Sequence, residues 1–377
     1  MDQPTAKKLL AEGAFFILLG VPEGTEFGID MKSWNTGDKF RGVKMIPPGI
    51  HFIFFSAVSE EGDTAPRTGF FKNFRKSEVF VKKWDVKNEC ISVETVSEDE
   101  VVNLKDNIMA LDDFLGPYPY AIKDKWLNLS SSITESLIEK LTPLSGYIQS
   151  ALELVSCSDA DRPRGKSKSE HSPGGTSTNS KRSRLSDDFE ERFLPELKPL
   201  AGTELRFTAF PEKNYPAGST PAEITRHSLD STYVLDQVLT SYQNPSDILG
   251  ELQACYICFL VGHSLEAFEH WKKLVNLFCS CEIAIKKHRR LYDMFLSIIE
   301  VHVAEIPEEF LADIVANDNF VYMKLRRLFG SIQASQVDGI LKTKADRLRK
   351  SLTEKYLWDF EHLNSEEEDE APVVVET

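Results

Sequence analysis

Short apolar runs separated by turn residues dominate the first third of the chain. They are rich in β-branched and aromatic residues and cover residues 15–19, 50–58, 68–74, 79–84 and 90–96. Turn-forming stretches such as Pro22-Glu23-Gly24 and Pro47-Pro48-Gly49 lie between the runs. This alternation of strand-forming and turn-forming residues predicts an antiparallel β-domain.

Helix signals begin at the far end of this domain. Ser97 and Glu100 have the spacing of a capping box, in which each side chain bonds the other residue's backbone amide. Apolar residues follow at helical spacing as far as Leu115. A second box at Ser132 and Glu135 predicts another helix. We therefore expect a β-rich domain with a few helices.

Almost all of the chain beyond residue 200 has the pattern of helices. Thr220-Pro221-Ala222-Glu223 combines a capping threonine, a proline at the first helical position and a glutamate at the third. Further helix starts and apolar stripes follow at Asn244-Pro245-Ser246-Asp247, Ser264 and residues 291–302, 332–341 and 348–360. We expect an all-α domain, either a bundle or a solenoid. The lack of a fixed-period sequence repeat disfavours the solenoid.

Two segments lack the apolar residues that a folded core requires. Between residues 158 and 188 the only aliphatic or aromatic residues are Ala160 and Leu185, which is too little to offset the entropy cost of ordering. Residues 366–370 are five consecutive acids, which repel one another and stay solvated. The predicted α+β architecture has two domains and two further segments: a β-rich domain (1–155), a disordered, basic, serine-rich linker (156–199), a helical domain (200–360) and an acidic tail (361–377).

Composition and charge narrow the classes of function. The 377 residues carry 44 lysines and arginines against 59 acids, a net charge of −15. This excess disfavours nucleic-acid binding, because such binding depends on basic residues that neutralise phosphates. The longest apolar runs are far shorter than the roughly 20 residues that span a bilayer, and no secretion signal is apparent. We therefore expect the six cysteines to be reduced thiols.

His263, Glu266 and His270 are the candidate metal ligands of the helical domain. They lie at i, i+3 and i+7, on one face of a helix, but they lack the His-Glu-x-x-His arrangement of helical zinc sites. We prefer a solvated or partly buried helix face and keep a metal-dependent enzyme as an alternative. Cys255 and Cys258 lie in a continuous apolar run, so we expect them in the core and not on zinc.

The one dense basic run of the folded part is a candidate contact for a partner. It comprises Lys286, Lys287, Arg289 and Arg290, with His288 between the two pairs. Such a run suits an acidic protein or RNA, although the charged first turn of a surface helix explains it as well. Phosphate-binding glycine motifs and a nucleophile elbow are absent from the sequence. We predict a protein that is not an enzyme and needs no cofactor.

The C-terminal tail carries two further candidates. Val373, Val374 and Val375 form a strand-prone tripeptide beyond the acidic run, which suits pairing with the sheet edge of a partner. A frayed terminus, or docking on the protein's own β-domain, remains the alternative. Ser365 directly precedes the acidic run and is a candidate site for an acid-directed kinase, whose phosphate would expel the tail from an interface. The linker serines are alternative sites.

Six ordered strings resemble the AAR-two splicing factor family, and they span both domains and the tail. They are Gly24-Thr25-Glu26-Phe27-Gly28-Ile29-Asp30, Phe40-Arg41-Gly42-Val43-Lys44-Met45-Ile46-Pro47-Pro48-Gly49-Ile50-His51-Phe52, Leu115-Gly116-Pro117-Tyr118-Pro119, Thr220-Pro221-Ala222-Glu223-Ile224-Thr225, Glu266-Ala267-Phe268-Glu269-His270-Trp271 and Ala371-Pro372-Val373-Val374-Val375-Glu376. The linker is the part of the chain that departs from the family pattern.

The resemblance implies an assembly factor of the U-five small nuclear ribonucleoprotein. It implies a β-sandwich-like N-terminal domain and a VHS-like helical domain. The expected partner is the large central spliceosomal protein, processing factor eight, bound through its RNase H-like and Jab/MPN domains so that the helicase cannot associate prematurely. The tail would bridge these domains by strand pairing. We expect a cytoplasmic and nuclear protein without direct contact to nucleic acid, membrane or small-molecule substrate. An RNA-binding splicing protein that uses the basic run is the alternative.

Overall fold

A computed structural model of the protein describes residues 3–59, 62–156, 197–306 and 319–360. Its strands are β1 (Ala14–Leu19), β2 (Glu26–Ile29), β3 (Lys32–Asn35), β4 (Gly42–Ile46), β5 (Gly49–Ser56), β6 (Thr68–Phe74), β7 (Val79–Asp85), β8 (Cys90–Ile91), β9 (Leu115–Pro117), β10 (Ile148–Gln149), β11 (Leu154–Ser156) and β12 (Leu197–Pro199). Its α-helices are α1 (Gln3–Glu12), α2 (Glu98–Asp106), α3 (Lys123–Ser130), α4 (Glu135–Leu141), α5 (Pro221–Leu229), α6 (Thr232–Leu239), α7 (Asp247–Leu260), α8 (Leu265–Cys279), α9 (Glu282–Lys287), α10 (Arg289–Glu305), α11 (Phe320–Ala334) and α12 (Gly339–Tyr356).

Two five-stranded sheets form the N-terminal domain. The first has the strand order β8-β7-β1-β4-β9 and the second has the order β10-β6-β5-β2-β3. Phe16 and Leu18 of β1 pack with Ile53 and Phe55 of β5 in the core of this domain. The predicted architecture, a β-sandwich-like domain followed by a helical domain, is confirmed.

Two strand pairs differ from the antiparallel pairing that the sequence predicted. β1 pairs in parallel with β7, and β4 pairs in parallel with β9. Both pairs join strands that are distant in sequence, because the chain passes through other strands before it returns. Parallel neighbours need such long connections, whereas short turns favour antiparallel pairs.

The central strand β5 is buried on both of its faces. Successive side chains of a strand point in opposite directions, so Phe52 and Phe54 lie opposite Ile53 and Phe55 and join the core of the helical domain. The ring of Phe54 lies so close to Gly28 that a Cβ there would be 2.1 Å from it. A strand buried on both faces explains why residues 52–55 are continuously apolar.

Helix α7 lies at the centre of the helical domain and also touches the N-terminal one. All of its residues from Ile248 to Phe259 are buried. It contacts α3, α4, α8 and α10. A Cβ on Gly250 would lie 2.4 Å from the backbone oxygen of Ser132, just before α4. The two domains therefore share one continuous core, and the absence of a side chain at Gly250 permits the close approach of α7 to the Ser132 backbone.

Several predicted helix starts are confirmed by the capping bonds. Thr220 and Glu223 form the reciprocal capping box of α5, and Ser264 accepts from the Ala267 N–H at the start of α8. Ser97 accepts from the Glu100 N–H, but the Glu100 carboxylate pairs with Lys83 at 2.7 Å instead of turning back to its cap.

Other local predictions are wrong in their boundaries. Thr134, not Ser132, caps α4, since the Ser132 N–H donates to Gln253. The stripe at 332–341 is not one helix, because α11 ends at Ala334 and a new start is capped by Asp338. The run at 90–96 forms a strand only over Cys90–Ile91. The helix expected to reach Leu115 ends at Asp106, and a 3-10 turn replaces it over Ile108–Phe114.

The structure leaves most of the predicted linker and all of the acidic tail undescribed. Residues 157–196 of the predicted linker and the whole of the tail, 361–377, lie outside the described residues. β11 and β12 flank the former and pair antiparallel with each other. Within the described ranges, no helix combines the length and hydropathy that crossing a membrane requires.

Candidate functional site

The basic run lies at the corner between α9 and α10. Lys286 and Lys287 end α9, whereas Arg289 and Arg290 begin α10, and His288 between them is non-helical. The run is therefore not the single first turn of one helix that the sequence also allowed. It divides into the basic end of one helix and the basic start of the next.

Most of the basic run is paired with acids on other helices. The Lys287 ammonium lies 2.7 Å from one Asp236 oxygen and His288 Nε2 lies 2.8 Å from the other. Arg289 forms a two-pronged pair with Asp338, the cap of α12. Burial raises the pKa of Asp236, but the bonds from Lys287 and His288 outweigh this and hold it below its ordinary value. These pairs tie α9 and α10 to α6 and α12.

Two members of the run stay available to a partner. Arg290 is exposed and makes no ion pair or hydrogen bond with any described residue. Lys286 is exposed as well, and its one contact is a long bond of 3.4 Å to the Gln336 side chain. The basic run is thus mainly a structural element with two exposed charges, and its predicted role as a partner contact rests on these two side chains.

The three candidate metal ligands are not brought together. His263 Nε2 lies 3.0 Å from the guanidinium of Arg67, while His270 Nε2 lies 2.8 Å from Glu251 Oε1. Burial raises the pKa of Glu266, which weakens it as a ligand because the carboxylate must be ionised. No group of three ligating side chains suited to a metal occurs in the part of the chain that the structure describes.

The thiols of the helical domain lie in its core. Cys255, Cys258, Cys279 and Cys281 are buried and free. Burial raises the pKa of each of them. A thiol that stays protonated is a poor nucleophile and a poor metal ligand. The expectation that Cys255 and Cys258 are core residues agrees with this placement.

A buried polar cluster joins the two domains, and we name it the junction cluster. It consists of Lys140 on α4, Thr208 and Tyr242 in loops, Glu251 on α7 and His270 on α8. Glu251 accepts from the Thr208 N–H at 2.9 Å, the Thr208 hydroxyl at 2.6 Å and the Tyr242 hydroxyl at 2.9 Å. Lys140 donates to the Thr208 hydroxyl at 2.7 Å.

The junction cluster holds a charge in the core. Burial alone would raise the pKa of Glu251, but the bonds from His270 and Thr208 outweigh it and hold that pKa below its ordinary value. Phe207 stacks on the imidazole of His270 at 4.2 Å and shields the pair from water. A buried carboxylate is stable only when its oxygens are satisfied in this way. The cluster therefore locks the segment at residues 207–208 onto α7 and α8.

A second buried cluster lies inside the N-terminal domain, and we name it the Asp30 cluster. Asp30 Oδ2 accepts from the Tyr118 hydroxyl at 2.6 Å and lies 2.7 Å from His51 Nδ1. Asp30 Oδ1 accepts from the Phe52 N–H at 3.1 Å, and His51 Nε2 donates to the Pro47 oxygen at 2.8 Å. Each ring nitrogen thus faces an oxygen, so the cluster fixes the ring and binds the second sheet to the segment that follows β9.

Arg67 links the domains at their surface. Its guanidinium donates to the Val261 oxygen at 2.7 Å and to Glu26 at 2.7 Å. The same group lies 4.5 Å from the ring centre of Phe54. Burial, followed by the charge of Arg67, lowers the pKa of His263. A neutral imidazole beside the guanidinium can accept its hydrogen bond.

The sequence contained signals for these clusters that a motif search does not find. Glu251 is a lone acid within the apolar run at residues 248–260, and a carboxylate at such a position requires a buried partner. Asp30, His51 and Tyr118 lie in three different strings of the family resemblance, yet only the fold brings them together. Arg67 had no local signal.

The fold defines a two-domain α+β protein, in which buried titratable groups bond to one another and Lys140 links the N-terminal domain to the helical one. Its sequence matches models of one protein family over both domains. Residues 12–143 match the AAR2 N-terminal domain, and residues 207–361 match the AAR2 C-terminal repeat region.

Curated relatives match over nearly their whole length. "Protein AAR2 homolog" of Macaca fascicularis and that of Mus musculus are each 43% identical over 380 residues, which cover 100% of this chain and 97% of theirs. "Protein AAR2 homolog" of Caenorhabditis elegans is 35% identical over 352 residues, 92% of this chain and 95% of its own. The chain belongs to the AAR2 family, and the resemblance seen in its sequence strings is confirmed.

Proposed function

We propose that the protein is a pre-mRNA splicing factor and assembly chaperone of the U5 small nuclear ribonucleoprotein. The observation that carries this proposal is the family match, which covers both domains and extends over nearly the whole length of the relatives. An assembly factor acts by binding an immature client more tightly than the mature one, so that release follows differential affinity.

The client in this proposal is the large central spliceosomal protein, processing factor eight. The protein binds its RNase H-like and Jab/MPN domains and blocks premature association of the helicase. Val373, Val374 and Val375 add a strand between the client domains, because an extended apolar segment can complete a sheet edge. The continuous core between the two domains supports the proposal, since it presents their surfaces in one fixed arrangement.

The proposal does not assign the protein a catalytic step. Glu251, His270, Asp30 and His51 are the side chains most suited to acid–base chemistry, and each is buried. The polar atoms of each side chain are also hydrogen-bonded to neighbouring groups of the protein. A general acid or base must reach a substrate proton, and these groups have no such access. This arrangement supports a role in binding.

The two alternatives have less support from the geometry. An RNA-binding role for the basic run would rely on Lys286 and Arg290, because Lys287 and Arg289 are paired with acids. A metal-dependent enzyme would require His263 and His270 to converge, whereas they bond to different partners, Arg67 and Glu251.

Regulation and location complete the proposal. Phosphorylation of Ser365 would add charge beside the tail strand and lower its affinity for the client. The protein acts in the cytoplasm and in the nucleus, as expected of a factor that accompanies a particle between them. Ser365 and the tail strand lie outside the described residues, so these statements rest on the sequence.

The test measures binding of the purified full-length chain to the joined RNase H-like and Jab/MPN domains by calorimetry. Val374→Pro removes the N–H that strand pairing requires and should weaken binding tenfold or more. Val374→Ile keeps the strand propensity and serves as the matched control, with affinity expected to stay unchanged. If the unaltered chain does not bind the client domains, the proposal fails. Equal affinities of the proline and isoleucine variants would remove the strand-pairing part alone.

A further inference from the structure

The last two described helices form a strongly basic hairpin in an acidic protein. The basic hairpin, α11 and α12 with their connection at residues 320–356, contains nine lysines and arginines against three acids. Its net charge is thus +6, although the whole chain carries −15. Charge of one sign on a small surface attracts a segment of the opposite sign.

Many of these charges are not neutralised by carboxylates. Lys342 donates to the backbone oxygen of Gln333 at 2.8 Å, and Lys355 donates to that of Ala304 at 3.3 Å. A carbonyl oxygen satisfies the ammonium hydrogen but leaves its positive charge in place. Lys344 and Arg349 do have acidic partners, Asp293 and Asp346. The hairpin therefore keeps a positive field after its internal ion pairs are counted.

The outer face of α12 is open to solvent. Its inner face is buried through residues such as Leu341 and Leu348, whereas Ile340 remains 70% exposed. The Arg347 side chain is 71% exposed and lies 3.7 Å from its nearest acid. Lys350 makes no ion pair or hydrogen bond within residues 3–59, 62–156, 197–306 and 319–360. A shallow groove runs along this face from Gly339 to Arg347.

The last described residues of the chain lie against this hairpin. Leu357 has a left-handed backbone (φ 58°) and ends α12. Phe360 is 1% exposed, and its ring lies 5.2 Å from each of the rings of Tyr322 and Phe329 on α11. This anchor fixes the start of the acidic tail against the basic hairpin.

The tail is complementary in charge and long enough to reach the groove. Residues 361–377 contain seven acids and no lysine or arginine. The acidic run starts six residues beyond Phe360, which an extended chain covers in about 20 Å. The 18 residues of α12 span about 27 Å at 1.5 Å per residue. The run can therefore lie along α12 with no strain in the connection.

We propose that the acidic tail docks in cis on the basic hairpin, with residues 366–370 along Arg347, Lys350 and Lys342. Tethering gives such a segment an effective concentration near the millimolar range, so each weak ion pair counts. One consequence rests on the function proposed above: the strand at 373–375 is held on the protein's own surface, and the client must compete for it.

Zero-length carbodiimide coupling of the full-length protein, without any client, tests the docking itself. The reagent joins a carboxylate to a lysine amine only when the two are in contact. We expect coupling of residues 366–370 to Lys342, Lys350 and Lys355, with a yield independent of protein concentration. Raising the salt from 0.05 to 0.5 M should reduce the yield severalfold, because screening weakens exposed charge pairs.

Paired variants make the test specific. Arg347→Glu combined with Lys350→Glu should reduce coupling to Lys342 and Lys355 at least fivefold. Lys32→Glu combined with Lys39→Glu, which reverses two exposed charges of the N-terminal domain, should leave it unchanged. Circular dichroism checks that both variants fold. Binding of the client can fail while this coupling persists, so the two proposals are tested separately.

Three results would overturn the docking. Coupling of the tail to Lys32 and Lys39 as efficiently as to Lys342 would mean that no preferred surface exists. Coupling found only between two molecules would make the tail a link between copies. The third result is that the tail does not couple at all and the protein binds an RNA oligonucleotide instead. If Arg347→Glu combined with Lys350→Glu abolished that RNA binding, the hairpin would be a nucleic-acid surface.

Discussion

The junction cluster offers a direct test of how a buried carboxylate stabilises the helical domain. Glu251→Ala removes the acceptor of four hydrogen bonds, two from Thr208 and one each from Tyr242 and His270. Glu251→Gln keeps the shape and one oxygen but removes the charge. The two changes therefore separate the loss of the charge from the loss of the whole acceptor.

The magnitude follows from burial and from the number of partners. Glu251 is fully buried, and removing one partner of a buried ion pair costs about 3 to 5 kcal/mol. We expect Glu251→Ala to lower the free energy of unfolding by about 4 kcal/mol. Glu251→Gln should cost about half as much, because the hydroxyls of Thr208 and Tyr242 can rotate to accept from the new amide.

Urea unfolding followed by tryptophan fluorescence measures both changes. Glu354→Gln, on an exposed position of α12, is the matched control and should change stability by less than about 0.5 kcal/mol. A loss below about 1 kcal/mol for Glu251→Ala would contradict the assigned role, since even a single unsatisfied buried group costs this much. Equal losses for alanine and glutamine would mean that only the charge matters.

Further predictions concern pH, packing and thiol chemistry. Burial lowers the pKa of His302 from 6.5 to about 3, so the unfolded chain takes up a proton on this side chain at a higher pH than the folded protein does. Between pH 7 and pH 5 the protein should therefore lose about 2 kcal/mol more of its free energy of unfolding than the His302→Gln variant loses. Equal losses for the protein and the variant would contradict this. Gly250→Val should lower the melting temperature by several degrees, because its Cβ meets backbone, whereas Gly339→Ala, with open space around it, should not. Iodoacetamide at pH 8 should leave Cys255 and Cys258 unmodified until urea unfolds the protein, as mass spectrometry would report.

The features that local chemistry controls could be predicted from the sequence. The capping box at Thr220 and the cap at Ser264 act within one turn, and both form as expected. The apolar run of β5 predicted a strand because β-branched and aromatic residues fit a pleated, buried surface. These interactions need no knowledge of which elements meet in three dimensions.

The features that depend on distant partners could not be predicted in this way. The parallel pairing of β1 with β7 joins residues about sixty positions apart. Asp236 and Asp338 neutralise the basic run from about fifty residues away on either side. A run of charged residues must contact either water or groups of opposite charge. Only the three-dimensional fold determines which of the two each side chain meets. Within the junction cluster, Glu251 had the signal of a lone acid in an apolar run, whereas His270 was recognised only as a candidate metal ligand.

Phosphorylation distinguishes tail docking from simple repulsion at the client. Both accounts predict that Ser365→Glu weakens client binding, since added negative charge either repels the client or strengthens docking on the hairpin. Only docking makes the effect depend on Arg347 and Lys350. In a chain that also carries Arg347→Glu and Lys350→Glu, Ser365→Glu should then have no effect on the affinity, and the double-mutant coupling should equal the whole effect of the single change. If Ser365→Glu instead weakened client binding equally with and without Arg347→Glu and Lys350→Glu, the added charge would act by repelling the client. The basic hairpin would then play no part in release of the client.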